Sequence, residues 1–292
     1  MEDLEKFKQY LQLIQVSASK MLEILEDSDE NNFKSNIKSI EKSNSFIPDW
    51  NMWPEAVPSF LIEEPNLSGM IKRARSILNM HDLVDLNGKH FLDFGCGEGH
   101  TTKEALERGA ATATGFDIVR SNNWNNYESI DDLIMTCDFK DLDKVYSVVL
   151  LHDVLDHLVE ADPIDVLKKI KGLIDGRGEV RIRCHPYTSR HANHVYNSFN
   201  KAYSHFFLTP EQLSEHNPLP VYKITGKDPM TEYKRWFNKA GFDVKKELPT
   251  KQDLDGFYLK NENRQQLKSV VNHEKYVEIL EIQFVDYCIV PK

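Results

Sequence analysis

The spacing of apolar residues divides the chain into a helical N-terminal part and a longer part of alternating patterns. Apolar residues recur three or four apart over positions 4–25, which predicts an amphipathic helix. A polar run at 26–32 interrupts the stripe, and a shorter stripe restarts at Phe33. We therefore expect a helical hairpin. It either packs on its own domain or serves as a dimer seam or partner-binding helix.

The following segment, 44–65, holds four prolines and two tryptophans, one of them Trp53, which predicts an extended connector. It either acts as a lid whose aromatic rings wall a pocket or anchors the hairpin to the core. A further helix is predicted at 67–86. The pattern thus predicts a domain boundary near residue 80, with the hairpin and the lid or connector in 1–80 and a second domain in 81–292.

From residue 90 onward, short apolar runs alternate with helical stretches. This alternation predicts an α/β fold with a parallel sheet and crossover helices. The predicted strands are 90–95, 111–119, 146–154, 178–184, 242–248 and 277–290, and the predicted helices are 101–109, 162–174 and 231–241.

A glycine-rich turn follows the first of these strands. The sequence "DFGCGEG" places Gly95, Gly97 and Gly99 at alternate positions, and Asp93 precedes them. Glycine is needed where the backbone turns sharply and a ligand must approach closely. The dinucleotide-binding pattern would require glycine at 100, where His100 stands, and no P-loop pattern occurs. Taken alone, the turn could also be a plain tight loop.

The stretch from Asp93 to Gly99 resembles the first motif of class I S-adenosylmethionine (SAM)-dependent methyltransferases. Four further positions agree with that family in order and spacing, and they are Asp117, "MTCDF" at 135–139, "YSVVLLHDVLDHL" at 146–158 and "LKKIKGLIDGRGEVRIR" at 167–183. The resemblance covers about residues 85–292. It implies a Rossmann-like, doubly wound, seven-stranded and mostly parallel sheet, to which the N-terminal segment adds a helical appendage.

The same resemblance implies SAM as the cofactor and S-adenosylhomocysteine as its product. Asp117 is expected to accept both ribose hydroxyls, and Asp138 to lie near the adenine amino group. From the residues alone, Asp117 could equally be a helix cap and Asp138 a turn residue. The implied cofactor-binding residues are Asp93, Gly95, Cys96, Gly97, Gly99, Asp117, Ile118, Asp138, Phe139 and Leu151.

Histidines concentrate beyond the fourth predicted strand, where six of the eleven lie between His152 and His205. Ligands of an open α/β sheet bind at the carboxyl ends of its strands, and His152 falls at such an end. A capping box beginning at Thr209 predicts a helix start there. Residues 185–208 are therefore predicted to form a His-rich, partly helical insertion. In related methyltransferases this region commonly caps the acceptor pocket.

Methyl transfer from a sulfonium needs alignment and a dry pocket, and it needs a base only if the acceptor must lose a proton. Histidine suits that role because its pKa lies near neutrality. The predicted catalytic residues are His152 first, then His185 and His191. The predicted substrate-binding residues are Trp53, Arg183, Tyr187, Arg190, His194 and Tyr203, with the arginines holding an anionic group. Each of these histidines has a purely structural alternative.

A metal site is an alternative interpretation of the same histidines. His185, His191 and His194 could supply three nitrogens to zinc or iron. No cysteine or carboxylate pattern supports such a site, and the four cysteines form no CxxC pair. We therefore expect no metal.

The fourth predicted strand also bears on the acceptor. "LHDV" stands after it, in place of the N-P-P-Y, D-P-P-Y or Pro-Cys of DNA amino- and cytosine-methylating enzymes, and this motif is similar to that of small-molecule methyltransferases. The expected function is SAM-dependent methyl transfer to an O, N or C nucleophile of a small molecule, with histidine-assisted deprotonation. The alternatives are an RNA- or protein-modifying methyltransferase and a non-catalytic assembly module of the same fold.

Charge and hydropathy restrict the partners. The 292-residue chain carries a net charge of -10, so nucleic acid would need a local basic groove. Neither a signal peptide nor a bilayer-spanning apolar run is apparent, and a soluble cytoplasmic protein without a membrane partner is expected. A homodimer through the N-terminal helix stays an alternative.

Overall fold

The computed structural model describes residues 48–51, 53–57, 66–143, 145–159, 162–216, 221–252 and 261–292. Except for Pro48, these residues belong to one compact unit, Asp49–Lys292. The predicted helical hairpin lies outside the described residues, so it stays a prediction. The helix predicted from residue 67 lies within this compact unit. The domain boundary near residue 80 stays a prediction.

The described chain forms a seven-stranded sheet of order β3-β2-β1-β4-β5-β7-β6. Strands β1 to β5 run parallel to one another, and β7 runs antiparallel to both β5 and β6. This is the predicted doubly wound, mostly parallel sheet. The strands are β1 (His90–Phe94), β2 (Thr112–Phe116), β3 (Leu133–Thr136), β4 (Tyr146–His152), β5 (Ile174–Cys184), β6 (Phe242–Lys251) and β7 (Ile282–Pro291).

Helices cover both faces of this sheet. They are α1 (Leu67–Met80), α2 (His100–Glu107), α3 (Pro163–Lys171), α4 (Pro210–Ser214), α5 (Pro229–Ala240), α6 (Asn261–Val271) and α7 (Tyr276–Glu281). Successive residues of a strand point to opposite faces, so a strand buried on both sides is a continuous apolar run. In β4, Val148 and Leu150 pack with α1 and α2, whereas Val149 and Leu151 pack with α3 and α5.

Local capping and departures from helical geometry set the ends of two helices. The capping box predicted at Thr209 is present, with the Thr209 side chain bonded to the backbone of Gln212 and the reverse bond also formed. Helix α1 ends at Met80 instead of continuing to residue 86, because His81 and Asp82 leave helical geometry and Asp82 has φ +58°.

One predicted strand begins later than the sequence indicated. Residues 277–281 of the strand expected at 277–290 belong to helix α7, and β7 starts at Ile282. The neighbouring residues Ile279 and Leu280 are both buried, at 2% and 0% exposure. Adjacent residues of a strand point to opposite faces, whereas a helix can bury both on one stripe. The strand prediction was therefore wrong at 277–281, where the buried residues follow the spacing of a helix.

The insertion, residues 185–208, leaves the end of β5 and contains two short 3₁₀ helices, Ala192–Asn197 and Ser204–Phe206. The strap, residues 53–57, lies against it. The Asn200 side chain accepts hydrogen bonds from the backbone N–H groups of Ala56 and Val57, both at 3.0 Å. The Trp53 indole donates to the Ala202 carbonyl. The strap therefore fastens the outer half of the insertion.

A buried carboxyl fastens the inner end of the insertion. Asp156, after β4, accepts hydrogen bonds from the backbone N–H of His185 and, at 2.6 Å, from the hydroxyl of Tyr233 on α5. Burial raises the pKa of Asp156 to about 8, and it does so against the two hydrogen bonds, which act in the opposite direction. Asp156 thus joins the turn after β4, the start of the insertion and helix α5.

An ion pair joins β5 to β7 at the same edge of the sheet. Arg183 and Asp286 face each other across the strands and form two hydrogen bonds, of 2.7 Å and 2.6 Å. The Arg183 guanidinium also lies over the Phe284 ring, 4.8 Å from its centroid. Both charged side chains are mostly buried, at 11% and 15% exposure. The charge of Arg183 is therefore matched within the protein.

Replacing Asp286 with alanine should lower the free energy of unfolding by about 3–5 kcal/mol, because it leaves the Arg183 charge buried without a partner. The double variant Arg183→Met/Asp286→Leu should lose much less than Asp286→Ala alone. The exposed pair Lys168–Asp165 is the control, and Asp165→Ala should cost less than about 1 kcal/mol. Urea unfolding measures all three. Equal losses in Asp286→Ala and Asp165→Ala would contradict this account.

The free energy of unfolding should fall by about 1 kcal/mol between pH 7 and pH 8 because of Asp156. Its folded-state pKa of about 8 exceeds its unfolded value, so unfolding releases a proton throughout this window. The pKa values of the other buried carboxyls with raised values, about 7 for Asp93 and about 6 for Asp153, lie at or below its lower limit. Asp156→Asn should remove most of the decline, and the exposed control Asp131→Asn should keep it.

Candidate functional site

The glycine loop between β1 and α2 takes the conformation that its sequence requires. Gly95 and Gly97 have φ values of +83° and +52°, in the left-handed region. A Cβ atom at Gly95 would lie 2.4 Å from the Val154 side chain, whereas one at Gly97 would meet nothing within 4 Å. The loop is therefore packed tightly on the protein at Gly95 and open to a ligand at Gly97.

Asp117 stands at the end of β2 and contacts this loop. Its carboxylate accepts hydrogen bonds from the N–H of Gly97 at 2.8 Å and of Val119 at 3.3 Å. The Trp124 indole donates to the Gly97 carbonyl at 2.8 Å, a contact that the sequence did not indicate. Ile118 follows with 84% of its surface exposed. An acid and an exposed apolar side chain thus border the open side of the loop.

Asp138 lies beyond the end of the neighbouring strand β3. Its side chain accepts a hydrogen bond from the N–H of Lys140 and caps the 3₁₀ helix Phe139–Asp141. The sequence left a turn residue as the alternative for Asp138, and the carboxylate that caps this short helix is also exposed. Phe139 packs edge-on against Phe116, with 5.9 Å between ring centroids.

Three further predicted cofactor residues, Asp93, Cys96 and Leu151, are partly or fully buried. Asp93 is buried and accepts a hydrogen bond from the Thr102 hydroxyl at 2.9 Å, and burial raises its pKa to about 7. Cys96 is half-buried in the loop itself. The side chain of Leu151 lies in the core with no exposed surface, so it does not line the site.

A cavity of about 350 Å³ separates the glycine loop from helix α1 and the end of β4. It brings His152 together with the predicted loop residues. The lining residues are Met70, Arg73, Ala74, Ile77, Asp93, Gly95, Cys96, Gly97, Glu98, His100, Thr101 and His152. The arrangement follows from the strand order, since β1 and β4 are parallel neighbours and both end at this edge.

His152 contacts groups on both of its ring nitrogens. Its Nδ1 lies 3.1 Å from Nε2 of His81, and its Nε2 lies 3.6 Å from Oδ2 of Asp153. Burial, with the nearby charges of Arg183 and Arg73, lowers the pKa of His152 well below its usual value. His152 is therefore a neutral imidazole at the wall of the cavity.

A histidine cluster is composed of His157, in the turn after β4, and of His185, His191 and His194 in the insertion. Ring centroids lie 4.2 Å apart for His185 and His191, 5.8 Å for His185 and His194, and 5.5 Å for His157 and His194. Burial lowers the pKa of His191 to about 3 and of His194 to about 4, and lowers that of His185 well below its usual value. The rings of His185, His191 and His194 are thus uncharged imidazoles beside the end of β5.

Several polar atoms of this region are buried without a hydrogen-bond partner in the described structure. Five of them are His185 Nε2, Thr188 Oγ1, Ser189 Oγ, His191 Nδ1 and His194 Nε2. A buried polar group without a partner costs about 1–3 kcal/mol, so native proteins normally satisfy such groups with water or a ligand. All five atoms lie within residues 185–194, so water or a ligand bound to this part of the insertion would supply their missing hydrogen bonds.

The remaining predicted substrate residues hold the insertion together. Tyr203 is fully buried, and its hydroxyl donates to the Leu280 carbonyl at 2.9 Å. Tyr187 packs against His205, whose Nε2 lies 2.8 Å from the Tyr187 carbonyl. The carbonyl of Arg190 accepts a hydrogen bond from the Tyr203 N–H at 2.7 Å. Trp53 belongs to the strap and packs on Phe207.

Sequence reasoning missed three residues near His152. They are His81 at the end of α1, Asp153 directly after His152, and Arg73 on the exposed part of α1. Asp153 could have been found as an acid immediately following a strand end. The other two carry no local signal, because only the packing of α1 across the sheet edge brings them near β4.

Neither a metal centre nor a membrane span is evident in the part of the chain that the structure describes. No group of three or more histidine, cysteine or acidic side chains there has an arrangement that could hold a metal ion. The described helices are also too short or too polar to cross a bilayer.

Parts of this chain are similar in sequence to known proteins. A family model described as a methyltransferase domain matches residues 70–247. Curated relatives include ribosomal protein L11 methyltransferases of Shewanella amazonensis, 37% identical over 87 residues, and of Pectobacterium carotovorum, 33% identical over 112 residues. These matches cover 29% and 36% of this chain, and the chain spans only 27% and 38% of the two relatives.

Among solved structures, the magnesium protoporphyrin IX methyltransferase of Synechocystis is similar with a TM-score of 0.46 and 13% identity, over 79% of this chain and 89% of that one. The family model spans more than half of the 292 residues and includes β1 to β5 with the glycine loop, Asp117, Asp138 and His152. The chain therefore belongs to the methyltransferase-domain family.

Proposed function

We propose that this methyltransferase acts on a small-molecule acceptor bound at the carboxyl ends of β4 and β5, with His152 as the proton acceptor. The observation that carries the proposal is that His152 lines the same cavity of about 350 Å³ as the glycine loop. A base and a cofactor loop on one cavity wall meet the geometric requirement of acid–base-assisted group transfer.

The residues present fit SAM. The open side of Gly97 admits a ligand, and the half-exposed Asp117 can accept hydrogen bonds from ribose hydroxyls. Exposed Ile118 offers an apolar surface, and Asp138 an acceptor, for an adenine ring. Arg73 has no hydrogen-bond or ion-pair partner among the described residues and lines the cavity, so it can hold a carboxylate. When bound, SAM supplies an activated methyl group.

His152 is suited to take a proton from the acceptor because it is uncharged before reaction. The burial that keeps it neutral also makes it a weaker base, since it disfavours the imidazolium. The carboxylate of Asp153, 3.6 Å from Nε2, offsets part of this cost when the ring becomes charged. The base matters most for a hydroxyl or acidic carbon acceptor, which must lose its proton early.

The insertion is proposed to contact the acceptor through hydrogen bonds. Its unpartnered buried atoms, on His185, Thr188, Ser189, His191 and His194, would be stabilised by a ligand that offers several donors and acceptors. Arg183 is paired with Asp286, so its predicted role as an anion ligand would require that pair to open. An acceptor rich in neutral polar groups is therefore favoured over one bound chiefly by charge.

Protein methylation is a second candidate. It is favoured by the names of the curated relatives, the ribosomal protein L11 methyltransferases, although the chain spans only part of their length. RNA modification and a non-catalytic assembly role stay alternatives as well. A negatively charged chain that binds RNA would do so through a local basic groove, with binding that weakens steeply as salt rises.

Calorimetric titration with SAM and S-adenosylhomocysteine should show binding with a Kd of about 1–100 µM, typical of working cofactor concentrations. Asp117→Ala should lose most of this affinity, because it removes the acid beside the open loop. Asp131→Ala, an exposed acid between β2 and β3, is the matched control and should bind normally. Absence of binding by the folded wild-type chain would refute the proposed function.

His152→Ala should lower turnover by about 100- to 10,000-fold, the usual contribution of a positioned base. The Kd for SAM should change by less than about threefold, because His152 borders the cavity without belonging to the loop. Turnover is followed as release of S-adenosylhomocysteine with an acceptor found by screening small molecules. Loss of SAM binding in this variant would assign His152 to the cofactor instead of the acceptor.

A further inference from the structure

The ring of His152 is held by a second histidine from helix α1. His81 Nε2 lies 3.1 Å from His152 Nδ1, and the two rings meet edge to face, with 5.3 Å between centroids and 82° between planes. The distance is that of a hydrogen bond, so one ring donates a proton and the other accepts it.

Both rings are neutral near pH 7. Burial lowers the pKa of His81 to about 4 and that of His152 well below its usual value. A neutral imidazole carries one N–H and one lone pair. The direction of the shared hydrogen bond therefore decides which nitrogen of His152 holds the proton.

Only one direction allows His152 to act as a base through Nε2. If His81 donates, His152 keeps its proton on Nε2 and has no lone pair there. If His152 donates from Nδ1, its Nε2 carries a free lone pair. A proton taken up at Nε2 would then lie 3.6 Å from the Asp153 carboxylate, whose negative charge stabilises the imidazolium.

Charged groups from three further elements bear on this pair. Arg73 on α1 and Arg183 on β5 act against a positive charge on His152. His81 is influenced by Arg181 and Arg183 on β5, by Asp286 on β7 and by its neighbour Asp82. Around His81, Asp82 and Asp286 favour a positive charge on the ring, and Arg181 and Arg183 oppose it. The hydrogen bond to His152 joins His81 to the proposed site.

We infer that His81 is a positioning residue that accepts the Nδ1–H of His152 and leaves Nε2 as the base. This inference rests on the proposed function, because it explains how the same imidazole is oriented for that role. Since His81 is the C-terminal cap of helix α1, which lines the cavity, the same helix bounds the cofactor site and orients His152.

Nitrogen NMR of the full chain labelled with ¹⁵N-histidine tests the inference at pH 7, with and without S-adenosylhomocysteine. His152→Ala identifies the His152 signals. The expected result is a protonated Nδ1 and an unprotonated Nε2 on His152. A proton on Nε2 of the wild-type residue would overturn the inference, and this readout needs no knowledge of the acceptor.

Two substitutions separate positioning from a merely structural role. His81→Gln keeps a side-chain oxygen that can accept the Nδ1–H, so the His152 tautomer should persist. His81→Leu removes the acceptor, and a substantial fraction of His152 should move its proton to Nε2, toward Asp153. An unchanged tautomer in a folded His81→Leu variant would overturn the inference. If that variant does not fold, the wild-type spectrum and His81→Gln still decide.

Calorimetric titration of SAM on the same variants separates a failure of the proposed function from a failure of the inference about His81. Both His81 variants should keep the wild-type Kd within about threefold, since His81 does not line the cavity. If the wild-type chain binds no SAM, the proposed function fails whatever the tautomer. If SAM binds and His152 carries its proton on Nε2, the inference about His81 fails together with the role of His152 as base, whereas methyl transfer from SAM itself stays supported.

Discussion

The parallel pairing of β1 with β2 on one side and β4 on the other is the constraint on which the site depends. Asp93 is in register with Gly115 and with Leu150, so the three strands end within one residue of one another. Groups that are distant in sequence therefore meet at a single edge, where the sheet stops and backbone turns begin. The glycine loop, the acid after β2 and the histidine ending β4 are placed by hydrogen bonds of the sheet, and no contact among their own side chains is needed.

The parts of this site predicted from sequence are those whose chemistry is local. Glycines in a left-handed turn, an acid after a strand and a capping box at Thr209 each follow from a few neighbouring residues. The contacts that sequence reasoning missed join distant elements. His81 reaches His152 only because α1 crosses the sheet edge, and Asp286 neutralises Arg183 only because β7 runs antiparallel beside β5. The late start of β7 was missed because the apolar run at 277–290 was assigned to a strand as a whole, although its first residues follow the spacing of a helix.

The histidines also show why residue type alone misdirects a charge argument. A run with many imidazoles looks basic, yet burial lowers the pKa values of His185, His191 and His194 and keeps these rings neutral. Their packing against one another makes protonation costlier still, because each charged ring would repel the next. The imidazoles of the insertion are thus polar but uncharged, and the formal charges in and near it belong to Arg190, Lys201, Arg73, Asp153 and the Arg183–Asp286 pair.

The hydrogen bonds between strap and insertion join residues about 145 positions apart in sequence. During synthesis, residues 53–57 leave the ribosome long before Asn200 and Ala202 exist, and non-local contacts of this kind form late because the intervening chain must be ordered first. We therefore expect the insertion and the strap to be among the last parts of the compact unit to become ordered, after the local contacts of the parallel strands.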